Sequence, residues 1–485
     1  MMIKRIQDFF RRGAVAYLVA QLLSPVFSFL IVVLLTRSLS TEVYGEYVIY
    51  ITSINFLTLF GSSWVGTSIL RFYSSQERSK ESTYGSLILT QIFASLIVIL
   101  SAIFINFFFP LFPGATSWMI VQILVFYLLN SLVDLNLCTL RADENATGYA
   151  LVFVLNNLMK LGVVLCSVFL TKDISYLFSL WACSTLLSFL FVIFLVSKSI
   201  KISSLSIDKS FIKEVLHFGL PTIMTGVGGL ILIQSDRYMI NILLGPESVS
   251  FYNVSNLIIA NSLGVIGTTL IMTYYSKIVD SWELKQDTSY VIDKGVQTYL
   301  LFALPAIVGI FFVSKDVFAT FFDERYQAAN EYVPYLLITA FISALLQYYQ
   351  KSFLLLKRMK LQASLYTVAG ALNIVLNLVL IPKLQVTGAA LATCISFAFL
   401  LILVLGLNFK LNIRWGFPIL FAVKSMISCL VMGASLFLFQ RFVSINSPVL
   451  SLILSIGIGA AAYYIVMTLF GVRSSEFILK KKVME

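Results

Sequence analysis

Long apolar runs dominate this sequence and restrict what it can fold into. Of its 485 residues, 59% are hydrophobic and only 12% are charged, whereas soluble proteins carry about 25% charged residues. A run of about 20 apolar residues crosses the bilayer core as an α-helix. A transmembrane β-barrel would instead alternate apolar and polar residues in pieces of about 10 residues. The sequence therefore predicts an all-α polytopic membrane protein.

The apolar runs predict fourteen transmembrane helices. The breaks between them carry loop chemistry, as in "FPGATS", "LLGPESVS" and "PKLQVTG". The predicted spans are residues 14–36, 43–69, 83–109, 116–140, 147–170, 174–197, 217–244, 248–276, 295–314, 331–356, 361–382, 386–408, 418–440 and 447–470.

The positive residues predict the orientation of these spans. Cytoplasmic loops of membrane proteins are enriched in Lys and Arg. With the N-terminus in the cytoplasm, 26 of the 34 Lys and Arg residues fall in cytoplasmic segments and six in outer loops. The remaining two, Lys160 and Arg237, fall inside spans. Both termini are thus expected in the cytoplasm, and the net charge of +11 is expected at the anionic inner leaflet rather than on nucleic acid.

Two stretches predict an internal repeat. "LSTEVYGEY" from Leu39 matches "LGPESVSFY" from Leu244 at a shift of 205 residues, and a weaker match at a shift of 216 aligns Asn157 with Asn373. Helices 1–6 and 7–12 are therefore interpreted as parallel copies. The expected domains are a first lobe (1–197), a basic cytoplasmic linker (198–216), a second lobe (217–408) and two added helices with a basic tail (409–485).

Three motifs carry a resemblance to a known family. They are "LLTRSLSTEVYGEYVIY", "SDRYMINILLGPESVSFYNVSN" and "ALNIVLNLVLIPKLQVTGAALATCIS", in this order on fourteen spans. The chain resembles the polysaccharide transport branch, or Wzx-type flippases, of the multidrug/oligosaccharidyl-lipid/polysaccharide (MOP) exporter superfamily. The resemblance implies two six-helix lobes in a V around a central cavity, in a bacterial inner membrane. It also implies transport of undecaprenyl-pyrophosphate-linked oligosaccharide, such as an O-antigen or capsule repeat unit, to the outer leaflet.

The two cations inside spans are the candidate ligands for a pyrophosphate. Arg237 lies about two turns from the outer end of helix 7, and Lys160 lies in the middle of helix 5. Charges at this depth are costly and often functional. The alternative for Arg237 is a structural ion pair with Asp236 or Glu46. Asp236 and Arg237 are neighbours and point about 100° apart on a helix, so they do not face each other.

Carboxylates supply candidates for coupling and gating. Asp134, in helix 4, either binds a coupling H⁺ or Na⁺ or is the structural partner of Lys160 or Arg141. Asp236 is expected to point into its lobe and to hold helix 7. The outer mouth is flanked by the predicted gate residues, whose alternative role is to stabilise the start of helix 2: Arg37, Glu42 and Glu46.

Amides and helix breakers complete the predicted site. The amides lie on helices 1, 2, 7 and 8, where they either read sugar hydroxyls as a set or form hydrogen bonds between helices: Gln21, Asn55, Gln234, Asn253, Asn256 and Asn261. The predicted hinges, with close helix packing as the alternative, are Pro25, Gly226, Gly228 and Gly229. His217, the only histidine, is interpreted as an interface residue.

No enzyme, cofactor or metal site is expected. The sequence has no Walker A motif, and its five cysteines show no metal-binding spacing. A glycan polymerase or ligase would need a larger outer loop than the longest one here, residues 315–330. The expected partners are the lipid-linked glycan, membrane lipids, a coupling ion and glycan polymerase or ligase machinery. A MATE-like cation or drug antiporter and a lipid II flippase remain the alternatives.

Overall fold

Helices form all the regular structure in the described part of the chain. The computed structural model describes residues 23–73, 78–170, 173–413, 415–443, 445 and 447–472. Twelve of the helices are α1 (Leu23–Ser38), α2 (Thr41–Phe72), α3 (Lys80–Phe108), α4 (Ser117–Ala142), α5 (Ala146–Leu170), α6 (Ile174–Val196), α7 (Lys209–Leu244), α8 (Pro246–Glu283), α9 (Thr288–Phe321), α10 (Val333–Tyr349), α13 (Ile419–Phe442) and α14 (Pro448–Leu469). Short helices Glu324–Tyr332 and Lys351–Leu355 flank α10.

The remaining two helices lie in the 52-residue run Met359–Lys410. A straight helix of this length would measure about 78 Å, far more than the ~30 Å bilayer core. Its backbone leaves the helical region at Gln385 (φ 52°, ψ −136°), within the predicted "PKLQVTG" break. Residues 359–384 form α11 and residues 386–410 form α12. The all-helical fold class and the order of the predicted spans are confirmed. The predicted amide Gln21 lies outside the described residues.

Helix starts follow from local side chains. Ser, Thr and Asp accept hydrogen bonds from the free N–H groups of the first helical turn. The capping residues include Ser40 for α2, Ser79 for α3, Thr116 for α4, Asp173 for α6, Asp208 for α7, Asp287 for α9 and Ser447 for α14. Because Asp208 caps α7, this helix begins at Lys209, inside the segment 198–216 that was predicted as the linker.

The second helix of each predicted copy contains one turn of π-helix. In α2 it is Leu59–Ser63, and in α8 it is Ala260–Gly264. Such turns free backbone carbonyls from the helical pattern. These paired irregularities add a structural likeness to the repeat that the sequence match at Leu39 and Leu244 indicated.

The π turn of α2 is held by side chains of neighbouring helices. Tyr127 donates its hydroxyl hydrogen to the carbonyl oxygen of Leu57 (3.2 Å), and Gln91 donates to the carbonyl oxygen of Gly61 (3.0 Å). A Cβ at Gly61 would come within 2.0 Å of the Tyr127 hydroxyl, so the contact requires glycine. In α8 a side chain of the π turn itself makes the corresponding hydrogen bond, since Ser262 donates to the carbonyl oxygen of Ile258 (2.6 Å).

The chain forms two compact units, Met1–Ser250 and Phe251–Glu485. In the first unit α4 packs against α6 and α2, and α7 packs against α2 and α3. The unit boundary thus places α7 with the first six helices, whereas the predicted lobe boundary lies at 197–217. The predicted domain boundaries remain a prediction.

The last two helices pack inside the second unit. Both α13 and α14 contact α9 and each other. Tyr463 donates to the carbonyl oxygen of Leu301 (3.1 Å), and Ser451 donates to Asp316 (2.7 Å). Polar contacts of this kind are a common way to join helices in a membrane, where apolar surface gives little preference for protein over lipid.

Candidate functional site

Helix α7 lies antiparallel along α2 inside the first unit. In the first half of α2, Ser53 and Tyr238 share a hydrogen bond of 2.5 Å between their hydroxyl groups. Further in, Phe56 packs edge-on against Tyr238, with ring centroids 5.9 Å apart. Two glycines of α7 allow the closest approach: a Cβ at Gly226 would lie 2.6 Å from Leu59, and one at Gly219 would lie 2.1 Å from Trp64. We call this contact the α2–α7 seam.

Two predicted amides meet on the seam. The side-chain nitrogen of Asn55 donates to the side-chain oxygen of Gln234 at 3.2 Å. Asn55 is exposed and Gln234 is half-buried. Asn55 lies 14 residues along α2, or about 21 Å from the N-terminal end of that helix. The pair therefore presents polar groups to a surface near the middle of a membrane-spanning helix, where contact with lipid is unfavourable.

The first turn of α8 contacts the seam at the N-terminal end of α2. Thr41 donates its hydroxyl hydrogen to a carboxylate oxygen of Glu247 at 2.9 Å. The backbones of Gly45 and Pro246 touch, because a Cβ at Gly45 would fall 1.8 Å from the carbonyl oxygen of Pro246. These residues belong to the two repeated motifs. The sequence predicted that each motif lies at the outer side but not that they contact each other.

Arg237 and Asp236 are both buried next to the seam. Asp236 is fully buried, and Arg237 retains 8% of its exposure. One guanidinium nitrogen of Arg237 donates to the carbonyl oxygen of Ile233 at 3.1 Å, one turn earlier in α7. Pyrophosphate binding by Arg237, and the orienting role of Asp236, remain predictions.

Lys160 and Asp134 are linked through an amide that the sequence analysis missed. The ammonium of Lys160 donates to the side-chain oxygen of Asn130 (2.9 Å), and the nitrogen of Asn130 donates to Asp134 (3.0 Å). The ammonium also lies 5.4 Å from the ring centroid of Phe126. The indole N–H of Trp181 donates to the Lys160 carbonyl oxygen. Asn130 therefore bridges Lys160 and Asp134, and a coupling role of Asp134 remains a prediction.

A signal for Asn130 was present in the sequence. Asn130 and Asp134 are four residues apart in "NSLVD", so they share one face of α4. The sequence could not reveal that the same face meets Lys160 of α5, because that contact depends on how the two helices pack.

The predicted outer residues have different surroundings. Glu42 is exposed in the first turn of α2, which suits an acid at a helix N-terminus. Glu46 lies against the loop before α4, where a Cβ at Gly114 would fall 2.4 Å from its carboxylate. Tyr50 donates to the carbonyl oxygen of Pro113 in the same loop (2.6 Å). Arg37 is exposed near the end of α1. A gating role for these residues stays a prediction.

The three predicted amides of α8 are half-buried. Asn253 and Asn256 lie before the π turn, and Asn261 lies within it. Within the described chain, the side-chain nitrogen of Asn261 is buried and finds no hydrogen-bond partner. Sugar recognition by this set is not established by these positions.

The predicted hinge region of α7 contains a bend. The segments Lys209–Met224 and Gly226–Leu244 meet at 41°. Pro221, which the sequence analysis passed over, lies inside the helix and cannot donate to the carbonyl oxygen of His217. The contact of Gly226 with Leu59 also supports the alternative of close packing. Pro25 is the third described residue of α1, and its hinge role, like that of Gly228 and Gly229, remains a prediction.

Solved structures with the same fold define the class of the protein. The chain is similar to the lipid II flippase MurJ in an inward closed conformation, with a TM-score of 0.77 at 16% identity, over 96% of this chain and 99% of that chain. It is also similar to an inward-facing multidrug resistance MATE family transporter of the MOP superfamily, with a TM-score of 0.61 at 12% identity, over 83% and 98% of the two chains. The protein is a multi-pass membrane protein with the MOP fold.

The chain belongs to the polysaccharide biosynthesis protein family, whose sequence profile matches residues 10–278. A curated relative, a probable low-salt glycan biosynthesis flippase (Agl15) of Haloferax volcanii, is 24% identical over 273 residues, which cover 53% of this chain and 54% of that protein. The chain thus matches about half the length of this relative. The predicted resemblance to the polysaccharide flippases of the MOP superfamily is confirmed.

Proposed function

We propose that the protein is a flippase for undecaprenyl-pyrophosphate-linked oligosaccharide of the O-antigen or capsule type. It moves this lipid from the inner to the outer leaflet of a bacterial inner membrane by alternating access, with both termini in the cytoplasm. The orientation follows from the Lys and Arg distribution. Family membership supports a role with polysaccharide, and the transported substrate is the one that the resemblance implies; side chains of α2 and α7 fit its polar parts.

The observation that carries the proposal is the exposed Asn55–Gln234 pair. The hydrogen-bonded amide pair lies about halfway along α2 and ten residues before the end of α7, with Asn55 exposed, so it needs water beside it. Amides offer both donors and acceptors, which suits sugar hydroxyl groups. A water-filled cavity against the α2–α7 seam therefore matches the hydrophilic part of a lipid-linked glycan.

The charge of Arg237 favours an anionic lipid over a cationic drug as the substrate. Arg237 lies three residues after Gln234 on α7, so both side chains are within one turn. A guanidinium group presents a planar set of donors that fits phosphate oxygens. Burial of this cation costs several kcal/mol unless anions or water compensate it. We assign Arg237 to the pyrophosphate, and Asp236 to holding α7 in position.

The half-buried residues Asp134 of α4 and Lys160 of α5 are assigned to energy coupling. Lys160 is occupied by the bridge through Asn130, so we assign it to balancing Asp134 rather than to the substrate. Uptake of a proton or Na⁺ at Asp134 would release Lys160 from this bridge and change how α4 packs against α5. The gradient of that ion would then drive the conformational cycle.

A reconstituted transport assay tests the substrate. Purified protein in proteoliposomes is given undecaprenyl-pyrophosphate oligosaccharide, lipid II or a fluorescent organic cation, in separate experiments. The proposal expects translocation of the first substrate and its loss in Arg237→Ala. Transport of lipid II alone, or of the cation alone, would instead support one of the two alternatives. In cells, disruption of the gene should cause undecaprenyl-linked intermediates to accumulate in the inner leaflet.

A further inference from the structure

A groove at the start of α7 lies outside the α2–α7 seam and has no role in the proposed function so far. The face of α7 that carries Phe211, Phe218 and Gly219 packs into the first unit. The opposite face lines a cavity of about 420 Å³, formed by Lys213, Leu216, His217, Leu220 and Pro221. Lys213 and His217 are four residues apart, so both lie on this face. We call this cavity the α7 groove.

The groove lies where lipid headgroups meet the hydrocarbon core. Helix α7 has 36 residues and a length of about 54 Å, compared with a ~30 Å core. About 20 residues counted back from Leu244 fill the core and reach the bend after Met224. Lys213 and His217 therefore lie at headgroup depth on the predicted cytoplasmic side, and Leu220 and Pro221 lie at the edge of the hydrocarbon.

The polar end of the groove is positive because the nearby acid is engaged elsewhere. Glu214 follows Lys213 in the chain, but its carboxylate pairs with Arg78 at 3.1 Å. Arg78 also binds Asp208 at 3.2 Å and lies 4.7 Å from the Phe211 ring centroid, so it is held on the packed face of α7. Within the described residues, no ion pair neutralises Lys213.

The apolar end of the groove favours a lipid over a soluble anion. Leu220 is 52% exposed, and Pro221 is exposed beside it. A lipid phosphate places its charge at Lys213 and His217 and its first carbons over Leu220 and Pro221, at the edge of the hydrocarbon, whereas a free phosphate would use the polar end alone.

We propose that the α7 groove is the cytoplasmic loading site for the phosphate end of the lipid-linked glycan. The proposal rests on the proposed function and adds a second binding site, 16 to 24 residues before Arg237 on the same helix. Lys213 supplies a fixed charge, and the His217 imidazole supplies an N–H donor to a phosphate oxygen. The lipid chain lies along Leu220 and stays in the membrane.

Photocrosslinking tests the site directly. Leu220 is replaced by p-benzoylphenylalanine, and the full-length protein is placed in phosphatidylcholine nanodiscs with radiolabelled undecaprenyl pyrophosphate. We expect a covalent adduct whose half-saturating lipid concentration rises about fivefold in Lys213→Ala. Loss of a hydrogen bond to a charged group in His217→Ala raises it about tenfold. Lys209→Ala, on the same helix but outside the groove, is the matched control and leaves adduct formation unchanged.

Competition and transport separate the possible outcomes. Absence of an adduct, or equal loss of the adduct in the Lys209→Ala control, overturns the proposed site. Displacement by phosphatidylglycerol at the same concentration also overturns it, because the groove would then be a general anionic-lipid surface. An adduct with the expected mutant pattern in a protein that fails to transport the glycan keeps the phosphate site and refutes the proposed function instead.

Discussion

Replacement of Gly45 by alanine tests whether the outer contact of α2 with α8 acts as a gate. The new Cβ would fall 1.8 Å from the carbonyl oxygen of Pro246, whereas real Cβ atoms almost never approach within 3.0 Å. The two backbones must therefore separate by about 1.2 Å. Overpacking of this kind costs about 1–3 kcal/mol. If the contact exists only in the outward-closed state, the population ratio shifts about 5- to 150-fold towards the open state.

The assay measures access from outside to the middle of the seam. Asn55→Cys is introduced into a protein whose five native cysteines are replaced by alanine, and a membrane-impermeant thiol reagent is added to intact cells. We expect the second-order modification rate to rise at least about fivefold in Gly45→Ala. Gly162→Ala is the matched control, because an added Cβ there meets no atom within 4 Å.

A milder variant keeps the test decisive if Gly45→Ala lowers expression. Thr41→Val removes the hydrogen bond to Glu247 without adding volume, and a bond of this kind contributes about 0.5–1.5 kcal/mol. It should raise the modification rate about 2- to 10-fold. Rates equal to that of the parent in both variants, in protein that unfolds at the parent's temperature, would refute the idea that this contact closes the outer side.

Three further predictions concern charged groups in the first unit. Arg237→Ala should abolish glycan transport in a stable, membrane-inserted protein, whereas Arg237→Lys should retain part of it because a point charge remains; normal transport in Arg237→Ala would contradict the assignment. Asn130→Ala removes the amide bridge between an ammonium and a carboxylate and should cost about 1.5–3 kcal/mol in thermal unfolding, whereas the control Asn157→Ala loses only a bond to its own helix. The Asp208 carboxyl has its pKa lowered to about 2, chiefly by the Ser210 hydroxyl and the Phe211 N–H. The ionised Asp208 carboxylate therefore contributes its full stabilisation of the fold above its unfolded pKa of about 3.9, and this contribution is lost as pH falls towards 2. The difference in Tm between the parent protein and Asp208→Asn should shrink over that range and stay constant above pH 5.

The sequence predicted the helices well because hydropathy acts locally. Each membrane-spanning helix must satisfy its own backbone within one continuous apolar segment, so its ends are visible in the chain. The break at Gln385 was marked by loop residues in the same way. The π turn at Leu59–Ser63 was not predictable, because it is stabilised by Tyr127 and Gln91, two side chains from other helices.

The candidate site was only partly predictable, for the same reason. Polar residues in apolar segments identified Asn55, Gln234, Lys160 and Asp134 as residues with a special role. Their partners required the packing: Asn55 meets Gln234 across two helices, and Lys160 meets Asp134 through Asn130. Glycine positions likewise indicated a bend or a close contact, and the helix pairing was needed to assign Gly226 to a close contact with Leu59.

The position of α7 has a consequence for how the chain folds during synthesis. By the repeat, α7 is the first helix of the second copy, yet it packs in the first compact unit, Met1–Ser250. Domains of growing chains tend to fold as units from the N-terminus. The first unit therefore becomes complete only after a seventh helix has entered the membrane and docked on α2, which was inserted much earlier. A chain cut in the segment before Lys209 would separate α7 from its packing partner, so the natural point of fragment complementation lies near residue 250 rather than between the two copies.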